Sequence, residues 1–310
     1  MKSAETTDTI FITGPTASGK TARAVAVAMA LDGEIVSADS RQVYRSMTIG
    51  TGKDLEEYGT VPYHLIDIVP AGYKYNLYEY LRDARASVTS IQSRGHVPVV
   101  CGGTGLYLES LLSGVSMPEV PENPGLRASL EGKSLTELTE ILSSMKTLHN
   151  VTDVDTAKRA IRAIEIQTYY QAHPEEAGGV AVAPLGGPVI CVDIPRDARR
   201  SRIEQRLRQR LADGMVDEVK ALLDEGIPAE SLIYYGLEYK FLTLYLTGQL
   251  TYDEMVEQLL IAIHQFAKRQ LTWFRGMERR GYKLHWLPYD MPMDEFVESV
   301  RSIYQAYREV

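Results

Sequence analysis

The sequence predicts an α/β fold, in which a parallel sheet is flanked by helices and joined to a small helical insertion domain and a mostly helical C-terminal part. Three observations predict it. Short apolar runs alternate with helical stretches over the first third of the chain, and glycines follow several of these runs. Between 116 and 180 the strand-like runs stop. The chain has 310 residues, which is enough to bury a large core without disulfides.

The order of apolar runs and helical stretches assigns each element. Strands are predicted over 9–13, 34–38, 64–68, 97–101, 188–194 and 284–287. Helices are predicted over 21–31, 77–93, 106–112, 134–145 and 156–170, over most of 199–280 with breaks near 214, 226 and 236, and at the C-terminus. The chain therefore divides into a first part of the core over 1–115, a helical insertion over 116–180, and the rest of the core with C-terminal helices over 181–310. Pro118, Pro121 and Pro124 mark a linker into the insertion.

Cysteine content and the lack of long apolar runs predict a cytoplasmic protein. Cys101 and Cys191 each lie at or near the end of an apolar run, so we expect buried strand thiols in the reducing cytoplasm rather than a disulfide scaffold. No apolar run approaches the roughly 18 residues of a membrane helix. The polar N-terminus is unlike a signal peptide, so we expect no membrane partner.

Charge is distributed unevenly along the chain. The net charge is −8, which by itself argues against a polyanionic partner. Arginines are nevertheless concentrated between 196 and 210, and a second basic cluster consists of Lys268, Arg269, Arg275, Arg279 and Arg280. Local patches of this kind can bind nucleic acid even on an acidic protein.

The clearest motif is Gly14-Pro15-Thr16-Ala17-Ser18-Gly19-Lys20-Thr21, which fits the P-loop pattern G-x-x-x-x-G-K-[ST] between a predicted strand and a predicted helix. The backbone N–H groups of such a loop, the helix N-terminus and the lysine all attract phosphate. The Thr21 hydroxyl is a candidate Mg²⁺ ligand. The motif predicts a P-loop NTPase-like sheet and phosphate binding, but it leaves kinase, hydrolase and transferase activities open.

Asp39 is the nearest candidate acid, because it directly follows the second predicted strand. The carboxyl ends of parallel strands face one crevice, so this carboxylate can approach the bound phosphates. Its position equally allows it to cap a short helix over 41–44. The residues alone leave both interpretations open.

A longer set of segments resembles the tRNA dimethylallyltransferase (tRNA isopentenyltransferase) family. The P-loop is followed, in the family's order, by Ser37-Ala38-Asp39-Ser40-Arg41-Gln42-Val43-Tyr44, Gly50-Thr51-Gly52-Lys53, His64-Leu65-Ile66-Asp67, Gly102-Gly103-Thr104-Gly105-Leu106-Tyr107, the stretch 159–165, and Ala267-Lys268-Arg269-Gln270-Leu271-Thr272-Trp273-Phe274-Arg275. The resemblance extends from about Ile10 to Leu287.

The resemblance implies transfer of a dimethylallyl group from dimethylallyl diphosphate to N6 of the adenine just 3′ of the tRNA anticodon. It implies that the P-loop, Gly14, Pro15, Thr16, Ala17, Ser18, Gly19, Lys20 and Thr21, binds the diphosphate with Mg²⁺. Asp39 would be the general base, Thr104 would contact the bridging oxygen, and Lys20 and Arg202 would face the leaving group. Arg202 and Arg206 share a helix face. For Arg199, Arg200, Arg208 and Arg210 we expect a solvated helix surface instead.

The expected partners are the anticodon stem-loop of tRNA and dimethylallyl diphosphate, bound by a monomer. The residues expected to contact tRNA are Asp39, Ser40, Arg41, Gln42, Thr104, Arg127, Lys158, Arg159, Ala160, Ile161, Arg162, Lys268 and Arg269. Arg159 and Arg162 have an alternative role, because they could pair with Glu165 and neighbouring acids along one helix. Trp273 and Phe274 are expected to pack the helix that bears Lys268 and Arg269.

The chain departs from the family pattern at several positions. Asp54 stands where the family has proline, Glu238 where it has glycine, and Arg208 where it has an acid. Four other activities therefore stay open. They are prenylation of free adenine nucleotides, as in cytokinin synthesis, prenylation by a paralogue with altered RNA preference, RNA binding without catalysis, and phosphorylation by a small-molecule kinase.

Overall fold

The structure, a computed structural model, describes residues 9–114, 120–147, 154–174 and 182–309. Pro118 of the predicted linker and the polar segment 1–8 lie outside these ranges. The chain divides into two compact units. The core unit consists of Met1–Gly114 and Ala183–Val310, and the insertion unit is Val115–Val182.

The core unit contains a six-stranded sheet in which every pair is parallel. The strands are β1 (Ile10–Thr13), β2 (Gly33–Ser37), β3 (Tyr63–His64), β4 (Val97–Gly102), β5 (Val189–Asp193) and β6 (Leu284–Pro288). Their order across the sheet is β3-β2-β4-β1-β5-β6. The predicted α/β fold with a parallel sheet is confirmed.

The helices follow the predicted order. They are α1 (Lys20–Ala30), α2 (Leu77–Ser93), α3 (Gly105–Ser113), α4 (Pro124–Leu130), α5 (Leu135–Met145), α6 (Ala157–Ala172), α7 (Arg196–Ala212), α8 (Met215–Asp224), α9 (Ala229–Tyr234), α10 (Leu237–Leu246), α11 (Tyr252–Arg279) and α12 (Met293–Arg308). Helices α4, α5 and α6 belong to the insertion unit. In the part of the chain that the structure describes, no helix combines the length and apolar character needed to cross a membrane.

Both faces of the sheet are covered. Successive side chains of a strand point to opposite faces, and Phe11 belongs to one apolar cluster while Ile10 and Ile12 belong to another. Helices α1 and α12 cover the second face, and α2, α3, α7, α8, α10 and α11 contribute to the first. Burial on both sides explains why the central strands are continuous apolar runs rather than alternating ones.

Two predicted elements differ from the structure. The strand expected over 64–68 ends at His64, because Leu65 and Asp67 have positive φ angles of 63° and 57° that an extended strand cannot contain. The predicted linker ends in a helix, since Pro124 occupies the first turn of α4 and the Asn123 side chain accepts a hydrogen bond from the Leu126 amide.

The insertion unit has a small apolar core of its own. Leu138 and Leu142 of α5 pack with Ala160 and Ile164 of α6, all nearly inaccessible to solvent. Both helices begin with a capping side chain, Ser134 for α5 and Thr156 for α6. The described residues of this unit include no strand.

Candidate active site

Three loops meet at the carboxyl ends of the neighbouring strands β1, β4 and β2. The P-loop follows β1, Asp39 follows β2, and Thr104 follows β4. Open parallel sheets bind their ligands at this edge. A cavity of about 530 Å³ lies there, with Lys20, Thr21, Asp39 and Thr104 in its wall.

The P-loop adopts the tight backbone that its glycines predict. Gly19 has a φ of 82°, in the left-handed region that favours glycine. A Cβ on Gly14 would lie 2.9 Å from Ser18 Oγ, so a larger residue would force the turn open. Thr16, Lys20 and Thr21 line the cavity, whereas Gly14, Pro15, Ala17, Ser18 and Gly19 complete the turn without lining it.

Lys20 lies in a half-buried and strongly charged environment. Desolvation lowers the pKa of its ammonium group, and the nearby charges of Arg206 and Arg210 lower it further, while Cys101 and Asp39 act in the opposite direction. An anion in the cavity would stabilise the charged form of this lysine. The electrostatics of the cavity therefore favour a ligand with several negative charges.

Asp39 both accepts a backbone hydrogen bond and lines the cavity. The Arg41 amide donates a 2.9 Å hydrogen bond to Asp39 Oδ1, so this carboxylate caps the chain that follows it. That chain forms a turn over 41–43 rather than the helix considered for 41–44. Asp39 Oδ2 makes no hydrogen bond within the described ranges, and the residue lines the cavity. A carboxylate oxygen is thus available to accept a proton from a ligand.

Thr104 is fixed against the Asp39 turn. The Ser40 amide donates to Thr104 Oγ1 at 3.1 Å, and the Thr104 amide donates to the Ala38 carbonyl at 3.2 Å. A Cβ on Gly102 would lie 2.2 Å from the Ala38 carbonyl oxygen, so only glycine permits this approach. Because its oxygen already accepts a hydrogen bond, the Thr104 hydroxyl can donate its own proton to a ligand.

Gln270 of α11 connects two of these loops and was missed as a site residue. Its Oε1 accepts a 2.8 Å hydrogen bond from the Thr16 amide, and its Nε2 donates to the Gly103 carbonyl at 2.9 Å. The side chain is buried. The only signal in the sequence was its place within the string 267–275, since an isolated glutamine on a helix predicts nothing about loops far away in sequence.

The arginines of α7 are arranged differently from the prediction. Arg206 and Arg210 line the cavity, whereas Arg202 does not. Arg202 Nη2 lies 3.5 Å from the position that a Cβ on Gly19 would occupy, at the P-loop, and its guanidinium is 5.8 Å from the centre of the Tyr289 ring. The proposed contact of Arg202 with a leaving group stays a prediction.

The expectation of a solvated surface was wrong for two of the four arginines of α7 to which it applied, Arg199 and Arg210. The Arg210 side chain is only 14% exposed and Arg199 is 8% exposed. Burial lowers the pKa of the Arg199 guanidinium, and the charges of Arg196 and Arg275 lower it further. Arg200 and Arg208 are exposed, as predicted.

Aromatic side chains line the cavity beside the charged groups. Trp273 and Phe266 of α11 are both substantially exposed and lie in its wall with Tyr235 and Tyr239. Trp273 lies against Gly105 at the start of α3 while part of its ring stays exposed, and Phe274 is fully buried as expected. Exposed rings in a charged cavity offer faces on which a planar base can stack.

The residues of the core unit expected to contact RNA lie in different settings. Ser40, Arg41, Gln42 and Arg269 line the cavity, and Lys268 is exposed on α11 outside its wall. The Gln42 side chain is buried, accepts a hydrogen bond from the Ser37 hydroxyl at 3.1 Å, and donates one to the Gly52 carbonyl at 3.0 Å. Gln42 therefore connects the turn after Asp39 to the loop that contains Gly52.

Three arginines of the insertion unit are paired with acids. Arg127 makes two hydrogen bonds of 3.0 and 2.9 Å to the buried carboxylate of Glu165, and Arg162 also pairs with it. Arg159 pairs with Asp155. These are the contacts that the alternative role of Arg159 and Arg162 required.

The remaining insertion residues differ in exposure. Lys158 is exposed and Ile161 is half-buried. Ala160 is fully buried in the insertion core, so a contact of its side chain with RNA is excluded.

Oxygen donors suited to Mg²⁺ lie in the cavity wall. Mg²⁺ prefers oxygen ligands and is commonly bound by one or two protein groups together with substrate phosphates and water. Thr21 and Asp39 supply a hydroxyl and a carboxylate to the same cavity. The residues present therefore fit a magnesium ion that arrives with a phosphate ligand.

Comparison with family models matches residues 42–277 to the IPP transferase model and residues 7–60 to the isopentenyl transferase model. The chain is 59% identical to tRNA dimethylallyltransferase 2 of Bacteroides fragilis over 299 residues, which covers 95% of this chain and 97% of that protein. It is 57% identical to tRNA dimethylallyltransferase 2 of Porphyromonas gingivalis over 301 residues, with coverage of 96% and 99%.

Two solved structures are similar over nearly the whole chain. The tRNA isopentenylpyrophosphate transferase of Bacillus halodurans has a TM-score of 0.71 at 30% identity, with 97% of both chains covered. A eukaryotic dimethylallyltransferase acting on tRNA has a TM-score of 0.77 at 22% identity, with coverage of 95% of this chain and 77% of that one. The second likeness shows a shared fold.

Proposed function

The chain belongs to the tRNA dimethylallyltransferase family, and we propose that it transfers the dimethylallyl group of dimethylallyl diphosphate to N6 of the adenine 3′ of the tRNA anticodon, releasing diphosphate. It is a prenyltransferase that modifies tRNA. We propose dimethylallyl diphosphate as the donor and the adenine 3′ of the anticodon, presented by the anticodon stem-loop, as the acceptor.

The observation that carries the proposal is the meeting of a P-loop, a carboxylate and a hydroxyl in one cavity. Lys20 and Thr21 provide an anion site, Asp39 provides a proton acceptor, and Thr104 provides a hydrogen-bond donor. A prenyl transfer needs the three groups found.

The chemistry assigns each group a task. The lone pair of the adenine N6 amine is delocalised into the ring, so the amine attacks well only when its proton is removed. Asp39 Oδ2 would accept that proton as the N6–C bond forms, because this oxygen makes no hydrogen bond within the described residues. The C–O bond to diphosphate breaks at the same carbon, and its electron pair leaves with the diphosphate oxygen.

The diphosphate leaving group requires hydrogen-bond donors and positive charge around it. Negative charge accumulates on the bridging oxygen as the C–O bond breaks, and groups placed in advance to meet that charge lower the barrier. The Thr104 hydroxyl would donate to this oxygen, and the Lys20 ammonium and P-loop amides would bind the remaining diphosphate oxygens. Mg²⁺, bound through Thr21 and the diphosphate, would add positive charge at the same place.

The acceptor base must leave its stack to reach this cavity. A base in a single-stranded loop can be turned outward at a cost of a few kcal/mol. Trp273 and Phe266 would offer ring faces to that base, and Arg41 and Arg269 would offer charge to the neighbouring phosphates. All residues in the cavity wall belong to the core unit.

The test supplies labelled dimethylallyl diphosphate and Mg²⁺ with one acceptor at a time. We expect label in an anticodon stem-loop RNA bearing adenine 3′ of the anticodon, and none when that adenine is replaced by guanine. Label in AMP instead of RNA would identify a nucleotide prenyltransferase. Absence of label from every acceptor, with RNA still bound, would identify an RNA-binding protein without catalysis, and either result would overturn the proposal.

A further inference from the structure

Arg210 is the third arginine of α7 at four-residue spacing, after Arg202 and Arg206. Residues four apart on a helix lie on one face, and Arg206 and Arg210 both reach the cavity. The Arg210 guanidinium lies against the loop that contains Gly52, where a Cβ on this glycine would come within 1.6 Å of Arg210 Nη2. Only glycine at this position leaves room for the guanidinium.

Arg210 Nη2 is buried and has no hydrogen-bond partner within the described residues. Its nearest acid is Asp54, whose Oδ2 lies 3.7 Å away, too far for a hydrogen bond, and instead bonds to Arg206. Glu238 is close enough to act on Arg210 through space but forms no hydrogen bond with it. Buried donors of folded proteins are almost always paired, so this nitrogen points to a ligand.

Three of the cations in the cavity wall repel one another. Lys20, Arg206 and Arg210 all line the cavity, and both arginines act on the Lys20 ammonium through space. A guanidinium resists deprotonation even when it is buried, so this repulsion cannot be relieved by loss of a proton from arginine. A ligand with several negative charges relieves it, and the fork of an arginine matches the oxygens of a phosphate group.

We propose that Arg210 binds the diphosphate of the prenyl donor, with Nη2 donating to a diphosphate oxygen. This inference rests on the proposed function. No proton moves in this contact. As the C–O bond breaks and its electron pair passes to the diphosphate, the hydrogen bond strengthens, so Arg210 contributes to both donor binding and the rate of transfer.

The test measures binding of inorganic diphosphate by calorimetry, with Mg²⁺ and stem-loop RNA present, for wild type and two variants. Arg210→Met keeps a long side chain without charge, and Arg210→Lys keeps the charge facing Glu238 and Asp54 without the fork. We expect the dissociation constant to rise about tenfold or more in Arg210→Met, as for loss of a charged hydrogen bond, and by a smaller factor in Arg210→Lys. The single-turnover rate at saturating donor should fall in both.

The matched control is Arg208→Met on the same helix. Arg208 is 76% exposed and pairs with Glu204, away from the cavity wall, so its loss should leave diphosphate affinity and rate within twofold of wild type. If both Arg210 variants match this control, the inference is wrong while the proposed function stands. If wild type itself neither binds diphosphate nor labels RNA, the proposed function falls and the inference falls with it.

Discussion

Asp39 is the residue on which the proposed chemistry most depends, and Asp39→Asn isolates its role as a base. Asparagine keeps an oxygen that can accept the Arg41 amide hydrogen bond, so the turn should retain its shape. The amide cannot accept the N6 proton, so we expect a loss of about 10²–10⁴-fold in the single-turnover rate with tRNA affinity retained. Rapid quench with labelled donor measures the rate, and filter binding measures the affinity.

Asp32→Asn is the matched control for this substitution. Asp32 is exposed on the loop between α1 and β2 and also has a positive φ, of 52°, which asparagine tolerates. The single-turnover rate of Asp32→Asn should equal that of wild type. An Asp39→Asn rate near the control would remove Asp39 from the role of base and leave it as the cap of the turn.

At the scale of single residues, the sequence predicted the groups that lie in motifs and missed those placed by tertiary contact. The P-loop, Asp39 and Thr104 lie in short strings that predict a site. Arg210 follows Arg206 at the same four-residue spacing, so it lies on the same face of α7. Spacing alone cannot predict which part of that face is buried by the rest of the fold. Gln270 depends on contacts with loops that are 167 and 254 residues away in sequence.

At the scale of elements, the insertion unit depends on one buried carboxylate. Glu165 of α6 accepts hydrogen bonds from Arg127, Arg162 and the Asn123 amide, and so joins α6 to the start of α4. Glu165→Gln would remove the charged partner of Arg162 and leave Arg127 with only the exposed Glu122. We expect the insertion unit to lose about 1.5–3 kcal/mol, as for loss of hydrogen bonds to a charged group, measured by hydrogen exchange of the α6 amides.

The same carboxylate predicts a dependence on pH. Burial alone would raise the pKa of Glu165, but the hydrogen bonds from Arg127, Asn123 and Arg162 outweigh it, and the pKa lies below its ordinary value. Its stabilising contribution is therefore complete above the unfolded pKa of about 4.3 and is lost as the pH falls through the lower folded pKa. The difference in stability between wild type and Glu165→Gln should shrink below about pH 4.

The control is Glu122→Gln, which removes an exposed partner of the same Arg127. Exposed ion pairs contribute about 0–1 kcal/mol, so this variant should exchange its α6 amides nearly as slowly as wild type. Equal protection in Glu165→Gln and Glu122→Gln would show that the buried pair does not stabilise the insertion.

The ends of an element were predicted closely where the local sequence marks them, and were not where an unusual backbone conformation ends the element. Helix α2 begins and ends as predicted, because Asn76 and Glu79 form a capping box that is visible in the sequence and Gly95 follows its end. Strand β3 stops early because Leu65 and Asp67 adopt positive φ, a conformation in which aspartate is enriched but leucine is not. The αL conformation at Leu65 is imposed by the surrounding fold rather than by local preference.

At the scale of the whole molecule, negative charge predominates while the expected substrate is a polyanion. The net charge is −8, so long-range attraction cannot bring RNA to the protein and the local cations must do so. In the core unit these are the arginines of the cavity wall. In the insertion unit, Lys158 and Arg159 are exposed in the first turn of α6.

Replacement of Lys158 and Arg159 together by alanine tests whether the insertion binds RNA through phosphates. We expect weaker tRNA binding and a shallower dependence of its logarithm on the logarithm of salt concentration, by about one unit of slope for each phosphate that the variant no longer neutralises. Arg162 is left in place because its pairing with Glu165 stabilises the unit. Diphosphate affinity, which depends on the core unit, should not change.

The control for this pair removes the same charge elsewhere. Arg82→Ala with Arg301→Ala deletes two cations that pair with neighbouring acids on α2 and α12. If binding to phosphate matters, only the Lys158 and Arg159 variant lowers the salt slope, because both double variants change the net charge equally. Equal slopes in the two variants and wild type would assign Lys158 and Arg159 to the scaffold of the insertion, and would leave RNA binding to Arg41, Arg269 and the exposed Lys268 of the core unit.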